Sequence, residues 1–371
     1  MKLIFKKDDL MSAINIAAKA VPSKTTMTIL ECILIDAAGS EILLTGNDTE
    51  FGIETRAEGT IEEHGKIALE AKLFSEIIRK LSGEDEIIIE SDEKLVTEIR
   101  SGKSLFRIQG QDPEEYSYIP HIERTNYICI SEFTLKEIIR QTIFAISPND
   151  SNKMMTGEYL HVEGDKLSLV SLDGHRMAMR NITLKDKYSD VSAILPGKNL
   201  NEISRILGDE ISEDVMIYFD QNHAMFEFEN TTVVTRLIDG EYFRVGQMLT
   251  REYETRVTIN RQNFLSEIDK ATILIRESDK KPVVFNITDG ELQIRLNSTY
   301  GSMNTELPVQ KTGSDLMIGF NPTFFMDALR NIDSEEVTLY MINAKSPCFI
   351  RDEEESYIYL ILPVNFNSAD I

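Results

Sequence analysis

Three stretches of this chain read as versions of one another: ILLTGNDTEFGIETRA at residues 42–57, LSLVSLDGHRMAMRNI at 167–182 and LQIRLNSTYGSMNTEL at 292–307. Their first residues, Ile42, Leu167 and Leu292, are 125 positions apart both times. Each follows a turn-like acidic or Gly stretch, AAGSE, VEGDK or ITDGE. Working outward, a second set recurs downstream: KLFSEIIRKLSGEDEIIIE, KNLNEISRILGDEISEDVMIYF and TFFMDALRNIDSEEVTLYM, each a helix-period run followed by an alternating strand. Phe74, Leu200 and Phe325 fall at the same place in it, at spacings of 126 and 125. A third set closes each copy, SLFRIQGQDPEEYSYIP, TVVTRLIDGEYFRV and PCFIRDEEESYIYLILPV. Each copy also opens alike, on LIFKKDDLMSAINIAA, ICISEFTLKEIIRQTI or VTINRQNFLSEIDKAT.

Independent anchors at one period make this a triplication, and three unrelated β-rich domains would not share a period. The repeat is far longer than the ~20–50 residues of solenoid modules, so each copy is a full domain. The expected domains are 1–125, 126–250 and 251–371, with boundaries in the polar, aperiodic IERTN and TREYE stretches. Period-two runs such as EIIIES, LVTEIR and MFEFEN, with two amphipathic helices per copy, predict α+β domains of antiparallel sheet with helices on one face. The helices are expected at roughly 7–19, 72–81, 135–143, 198–207, 261–271 and 322–331.

The bulk properties narrow the function. A length of 371 residues suits two or three domains, and 42% hydrophobic with 27% charged residues is an ordinary globular composition. No apolar run is long enough to span a bilayer. The start, broken by Lys6, Lys7, Asp8 and Asp9, is no secretory signal, so the expected location is the cytoplasm. Cys32, Cys129 and Cys348 lie far apart, and His64, His121, His161, His175 and His223 form no ligand pattern. Reduced, buried thiols and no metal or cofactor are expected.

The net charge of −23 taken alone opposes nucleic-acid binding, because phosphate neutralisation dominates that affinity. The charge is segregated, however. The six helix windows hold twelve Lys or Arg against eight Asp or Glu, so they carry +4 and the rest of the chain −27. Arg79, Arg205 and Arg330 are equivalent in the three copies, and Lys72 and Lys198 precede their Arg by seven residues, on nearly the same helix face; the third copy has Thr323 there. Local i,i+3 pairing with Glu76, Glu202 and Asp327 explains any single Arg equally well, yet leaves the basic excess of the helices as a group unexplained. Helices turned to a common axis would instead give a positive channel in an acidic body, meeting phosphates without reading bases.

Catalytic signals are thin. Asp173 and His175 in LDGHRM suggest a general base, but GxSxG, Walker and GxGxxG motifs are absent, and Asp–Gly reads better as a turn. The acidic GEDEIIIE and RDEEES stretches read as solvated surface.

The triplication, SLDGHRM, RLIDGEYF and the terminal LILPV together resemble the β sliding clamp family of bacterial DNA polymerase III, over Met1 to Val364. The resemblance implies three tandem DNA-clamp domains in a head-to-tail homodimer ring, helices lining the hole and sheets forming an outer belt. It implies a non-catalytic processivity factor for DNA replication, without cofactor. Its partners would be duplex DNA of any sequence, a second copy, the polymerase catalytic subunit, the clamp loader and mismatch-repair or other clamp-motif proteins. A head-to-tail contact that closes yields a ring rather than a filament, and topological linkage removes the need for tight DNA affinity.

By position, the resemblance places a partner-peptide cleft on Met155, Leu172, Gly174, His175, Arg176 and Met177, continued by Phe243 and Met248. Ala344, Ser346, Leu360, Leu362, Pro363 and Val364 complete it. Met and Leu make an adaptable pocket for aliphatic or aromatic anchors, with His175 and Arg176 giving polar contacts at the rim. Domain-interface packing is the alternative for these residues, Leu360 above all. It places the dimer contact on Phe106, Ile108, Ile273 and Leu274, which ordinary core would also explain. It places DNA contacts on Lys24 and on Lys72, Arg79, Lys136, Arg140, Lys198 and Arg205 of the helices. The chain departs from the family at Phe243, where Pro is usual, at Asn365, where Arg is usual, and at Thr28, where Pro is common. A tail, FNSADI, runs past the family's usual end. Against the clamp stand two other readings: a hydrolase using Asp173 and His175, and a scaffold that binds proteins but never DNA.

Overall fold

The computed structural model describes residues 1–83, 86–148, 151–276 and 281–367, so the tail beyond Asn367, and Glu84 and Asp85 of the first acidic stretch, lie outside the described residues. The six helices are α1 (Lys7–Ala17), α2 (Ala71–Lys80), α3 (Glu132–Arg140), α4 (Gly197–Ile206), α5 (Arg261–Thr272) and α6 (Pro322–Arg330). Five of the expected windows match these closely. The third begins earlier than expected because Ser131 Oγ accepts the Thr134 N–H at 3.3 Å, so the cap sits before Glu132. Asn260 caps α5 and Asn321 caps α6 in the same manner, the latter with Pro322 at the first helical position.

The three quoted stretches are antiparallel hairpins. Ile42–Asn47 pairs with Phe51–Ala57, the end of Gly157–Leu172 with the start of Arg176–Pro196, and Glu291–Ser298 with Gly301–Pro308. In the central copy the strands fuse into 16- and 21-residue ribbons, with register shifts around Gly164 (φ +61°).

The chain forms two compact units, Met1–Leu135 with Glu202–Leu237, and Lys136–Asn201 with Ile238–Ile371. This division differs from the sequence repeat, because it splits the central copy. The physical reason is hydrogen bonding. In the first unit Thr231–Arg236 pairs with Phe51–Ala57, giving an eight-stranded sheet that runs from the second copy into the first, with Thr55 and Thr231 hydroxyls 2.9 Å apart. In the second unit Arg176–Pro196 pairs with Tyr357–Ile361, giving a seven-stranded sheet that runs from the second copy into the third. A five-stranded sheet completes the first unit and a four-stranded sheet the second.

Helices pack on these sheets through the expected apolar stripes. Leu10, Ile14, Phe74 and Ile78 join Leu3, Phe5 and Ile89 in one core. Phe264, Phe285, Phe320 and Phe325 cluster in another, with ring centroids 4.8–5.8 Å apart. Phe74, Leu200 and Phe325, equivalent in sequence, are all fully buried. The helix pairs are also tied end to end. Lys7 Nζ donates to the carbonyls of Arg79 and Leu81, and Arg261 to those of Leu329 and Ser334, so a cation meets the negative end of α2 and of α6. The central copy inverts the chemistry: the Glu132 carboxylate accepts the Gly208 N–H just past α4.

Candidate functional site

The DGHR stretch is a tight turn. Gly174 has φ +87°, a left-handed value suited to glycine, and the Asp173 carboxylate accepts the backbone N–H of His175 (2.9 Å) and Arg176 (3.1 Å). Asp173 is therefore engaged with its own turn and with Arg176 Nε at 3.0 Å, while the His175 ring faces Phe324, 6.2 Å away at 17°. That is not a carboxylate–imidazole dyad, and the hydrolase reading loses its only residues.

Around the turn, the expected cleft residues separate into floor and rim. Leu172, Met177 and Leu360 are buried in one apolar cluster with Tyr242, Tyr340 and Phe349, against which Met155 and Phe243 pack. Met177 and Leu360 are direct cross-strand partners. Phe243 lies edge-on to Tyr242 at 5.4 Å, and Tyr242 stacks on Tyr159 at 4.9 Å. Gly174, His175, Met248, Ala344, Leu362 and Val364 are exposed, Ser346 and Pro363 half-buried. The terminal segment is bolted beside the turn: Leu362 N donates to His175 O at 2.9 Å and Val364 N to Gly319 O at 2.8 Å. A Cβ on Gly319 would meet Val364 O at 2.7 Å, so a side chain there would push the segment away.

One expectation needs correction. Arg176 is not a rim residue. Its side chain is 11% exposed, and all three guanidinium nitrogens are used, by Asp173, by Asp327 and by the Phe144 carbonyl. A largely enclosed guanidinium needs an acceptor for each nitrogen, and the turn, α6 and the Phe144 carbonyl supply them.

Beside this floor opens a cavity of about 690 Å³, lined by His175 and Val364 together with Ile275, Arg276, Asn321 and Phe324. The last four were not foreseen. Phe324 and Phe325 are adjacent in α6 and diverge by about 100°, so Phe325 fills the core while Phe324, packed at its edge, also lines the cavity; the FF pair was the signal available.

Lys24, Lys72, Arg79, Lys198 and Arg205 are exposed, and Lys136 is half-buried. Arg205 pairs with Glu202 at 2.7 Å, as the i,i+3 spacing suggested, whereas Arg330 reaches Asp269 at 3.5 Å instead of Asp327. Arg140 is committed to Glu137, Asn331 and Asp333, so its charge is largely spent inside the protein. Phe106 and Ile273 are exposed, the latter at 81%, while Ile108 and Leu274 pack partly against the cores of their own units. Cys32 and Cys348 are buried, Cys129 partly, and burial pushes the Cys32 thiol up to about 12. Among the described residues no cluster of His, Cys, Asp or Glu could hold a metal ion, and no helix is long and apolar enough to cross a membrane.

A tandem repeat of strand–helix units, sheets continuous from copy to copy, and an apolar cleft where the second copy joins the third define the DNA-clamp class of fold. Models of the N-terminal, central and C-terminal domains of the DNA polymerase III beta subunit match residues 1–120, 129–243 and 246–365. Beta sliding clamps of Staphylococcus epidermidis and Staphylococcus aureus are 33% and 32% identical, the alignments covering 98% of this chain and 99% of theirs. A crystal structure from Eubacterium rectale, provisionally described as a DNA polymerase III beta subunit, is 56% identical with a TM-score of 0.96, covering 99% of this chain and 100% of that one. The DNA polymerase sliding clamp of Bacillus subtilis is 33% identical with a TM-score of 0.95 over the same shares. The chain belongs to the DNA polymerase III beta-subunit family, the beta sliding clamps, and is a non-catalytic processivity clamp.

Proposed function

We propose that two copies of this chain close head to tail around duplex DNA in the cytoplasm and tether the polymerase, the clamp loader and repair proteins to it. The observation that carries this reading is a pair of exposed sheet edges. The five-stranded sheet of the first unit ends on Ser104–Gln109, exposed at every position but Ile108, and the four-stranded sheet of the second ends on Gly301–Pro308. Unpaired strand edges invite pairing with another chain. Two unlike edges on one chain suit a heterologous contact, with Phe106 and Ile108 from one copy and Ile273 and Leu274 from the other beside the joined strands.

Lys24, Lys72, Arg79, Lys136, Lys198 and Arg205 are the proposed phosphate contacts, with Arg140 left a minor one by its internal ion pairs. The domains are taken as 1–125, 126–250 and 251–371. The cleft around Leu172, Gly174, His175, Met177, Leu362 and Val364, floored by Leu360 and flanked by Met155, Phe243, Met248, Ala344, Ser346 and Pro363, is the proposed seat of a partner peptide with aliphatic and aromatic anchors. Arg176 belongs to it from below.

The test is mass and topology together. Light scattering should give twice the chain mass, and loaded protein should stay on circular DNA yet run off after linearisation. A monomer that never links to DNA, or affinity for DNA in the unlinked state unchanged when Arg79, Lys198 and Arg205 are neutralised together, would favour a protein-only scaffold instead.

A further inference from the structure

Arg176 is largely enclosed, its side chain 11% exposed, behind the Phe324 ring that lines the cavity. Its Nε meets Asp173 Oδ2 at 3.0 Å, Nη2 meets the Phe144 carbonyl at 2.7 Å, and Nη1 meets Asp327 Oδ2 at 2.5 Å. The flat face of the same guanidinium lies 4.6 Å from the Phe324 ring centroid. Phe324 also faces His175, and it lines the cavity. Asp327 stands three residues after Phe324 in α6, on the same side of the helix. A single carboxylate thus joins α6 to the DGHR turn and fixes the cation on which the cavity-lining ring rests.

We propose that Asp327 is a positioning residue for the peptide cleft, setting the Phe324 ring through the Arg176 guanidinium. This rests on reading the cavity as part of that cleft. Its sequence neighbourhood conceals the role, because Asp327 precedes Arg330 at the spacing of a local ion pair, and Arg330 goes to Asp269 instead. With Asp327 neutral, Nη1 loses its carboxylate and a charge-assisted bond. The guanidinium then has reason to turn toward solvent or Asp173, and the ring it supports loses its orientation. Asp327 itself need not touch the peptide.

The experiment uses the full-length chain and a fluorescein-labelled peptide with adjacent leucine and phenylalanine anchors, read by anisotropy. 4-Fluorophenylalanine at Phe324 supplies a 19F resonance in the peptide-free protein. Asp327→Asn should weaken the peptide about tenfold, the scale expected when a contact side chain such as Phe324 must be ordered on binding and is no longer held in place beforehand. It should also shift the 19F resonance and lower the melting temperature, with hydrodynamic mass unchanged and the chain still folded at the temperature of the binding assay. Arg176→Lys, which keeps the charge but loses the flat fork, should do the same and serves if Asp327→Asn folds poorly. Asp269→Asn, which removes the other ion pair of α6, should move neither readout. Should the unmutated chain fail to bind the peptide, the reading of the cleft falls. Should it bind while both variants bind equally well with an unmoved resonance, the role of Asp327 falls.

Discussion

Glu158 shows how much a single buried group can decide. It is fully buried; one carboxylate oxygen accepts from Thr142 Oγ1 at 3.0 Å and the other has no hydrogen-bond partner among the described residues. Burial raises its pKa well above the ordinary carboxylate range, with the Thr142 hydroxyl opposing. A raised folded-state value means the folded protein holds a proton that the unfolded chain releases. That contribution is complete below the ordinary carboxylate range and is lost as pH rises through the raised value. Glu158→Gln, a neutral isostere, should therefore melt near the parent at pH 5 and above it at pH 8. Equal melting temperatures at both would mean that the carboxylate is solvated. At Gly319, replacement by valine should displace the Leu362–Val364 segment and weaken peptide binding, because the Cβ has no room beside Val364 O. Phe325→Ala should cost about 3–5 kcal/mol in denaturant unfolding, the range for deleting a buried aromatic ring.

Among the elements, helix positions were legible from periodicity, and the burial of Phe74, Leu200 and Phe325 follows from their shared register. Strand partners were not. Which edge remains open depends on pairing between segments far apart in the chain, as in Thr232 opposite Glu54 or Met179 opposite Ile358. The open edge Ser104–Gln109 carries the exposed Leu105 and Phe106. Leu105→Lys with Phe106→Glu should convert the doubled mass to that of one chain in light scattering, since charge placed on the edge and the missing apolar area oppose edge pairing. The basic helices make a different prediction. Neutralising Lys72, Arg79 and Lys198 should reduce the slope of log affinity against log salt by roughly one for each phosphate no longer neutralised, equally on any DNA sequence.

For the whole molecule, the net charge of −23 and a function on DNA are compatible only if topology supplies what affinity does not. A linked ring should survive salt on closed circular DNA and leave at once when the circle is cut; retention on linear DNA would point to ordinary surface binding. Triplication, the α+β class, the helix windows and the segregation of charge were determined by the sequence itself, because periodicity and spacing are local quantities that a chain carries unfolded. The apolar floor could be placed only through family resemblance. Tertiary structure alone decided that the central copy is shared between two compact units, that Arg140 is spent on Asn331 and Asp333, and that Phe324 lines the cavity. It also decided that Arg176 is a largely enclosed clasp on Asp327 and not a rim contact. Each of these depends on which distant groups meet: Arg140 adds Asp333 to its sequence neighbour Glu137, and Arg176 adds Asp327 to Asp173, through contacts that only the fold creates.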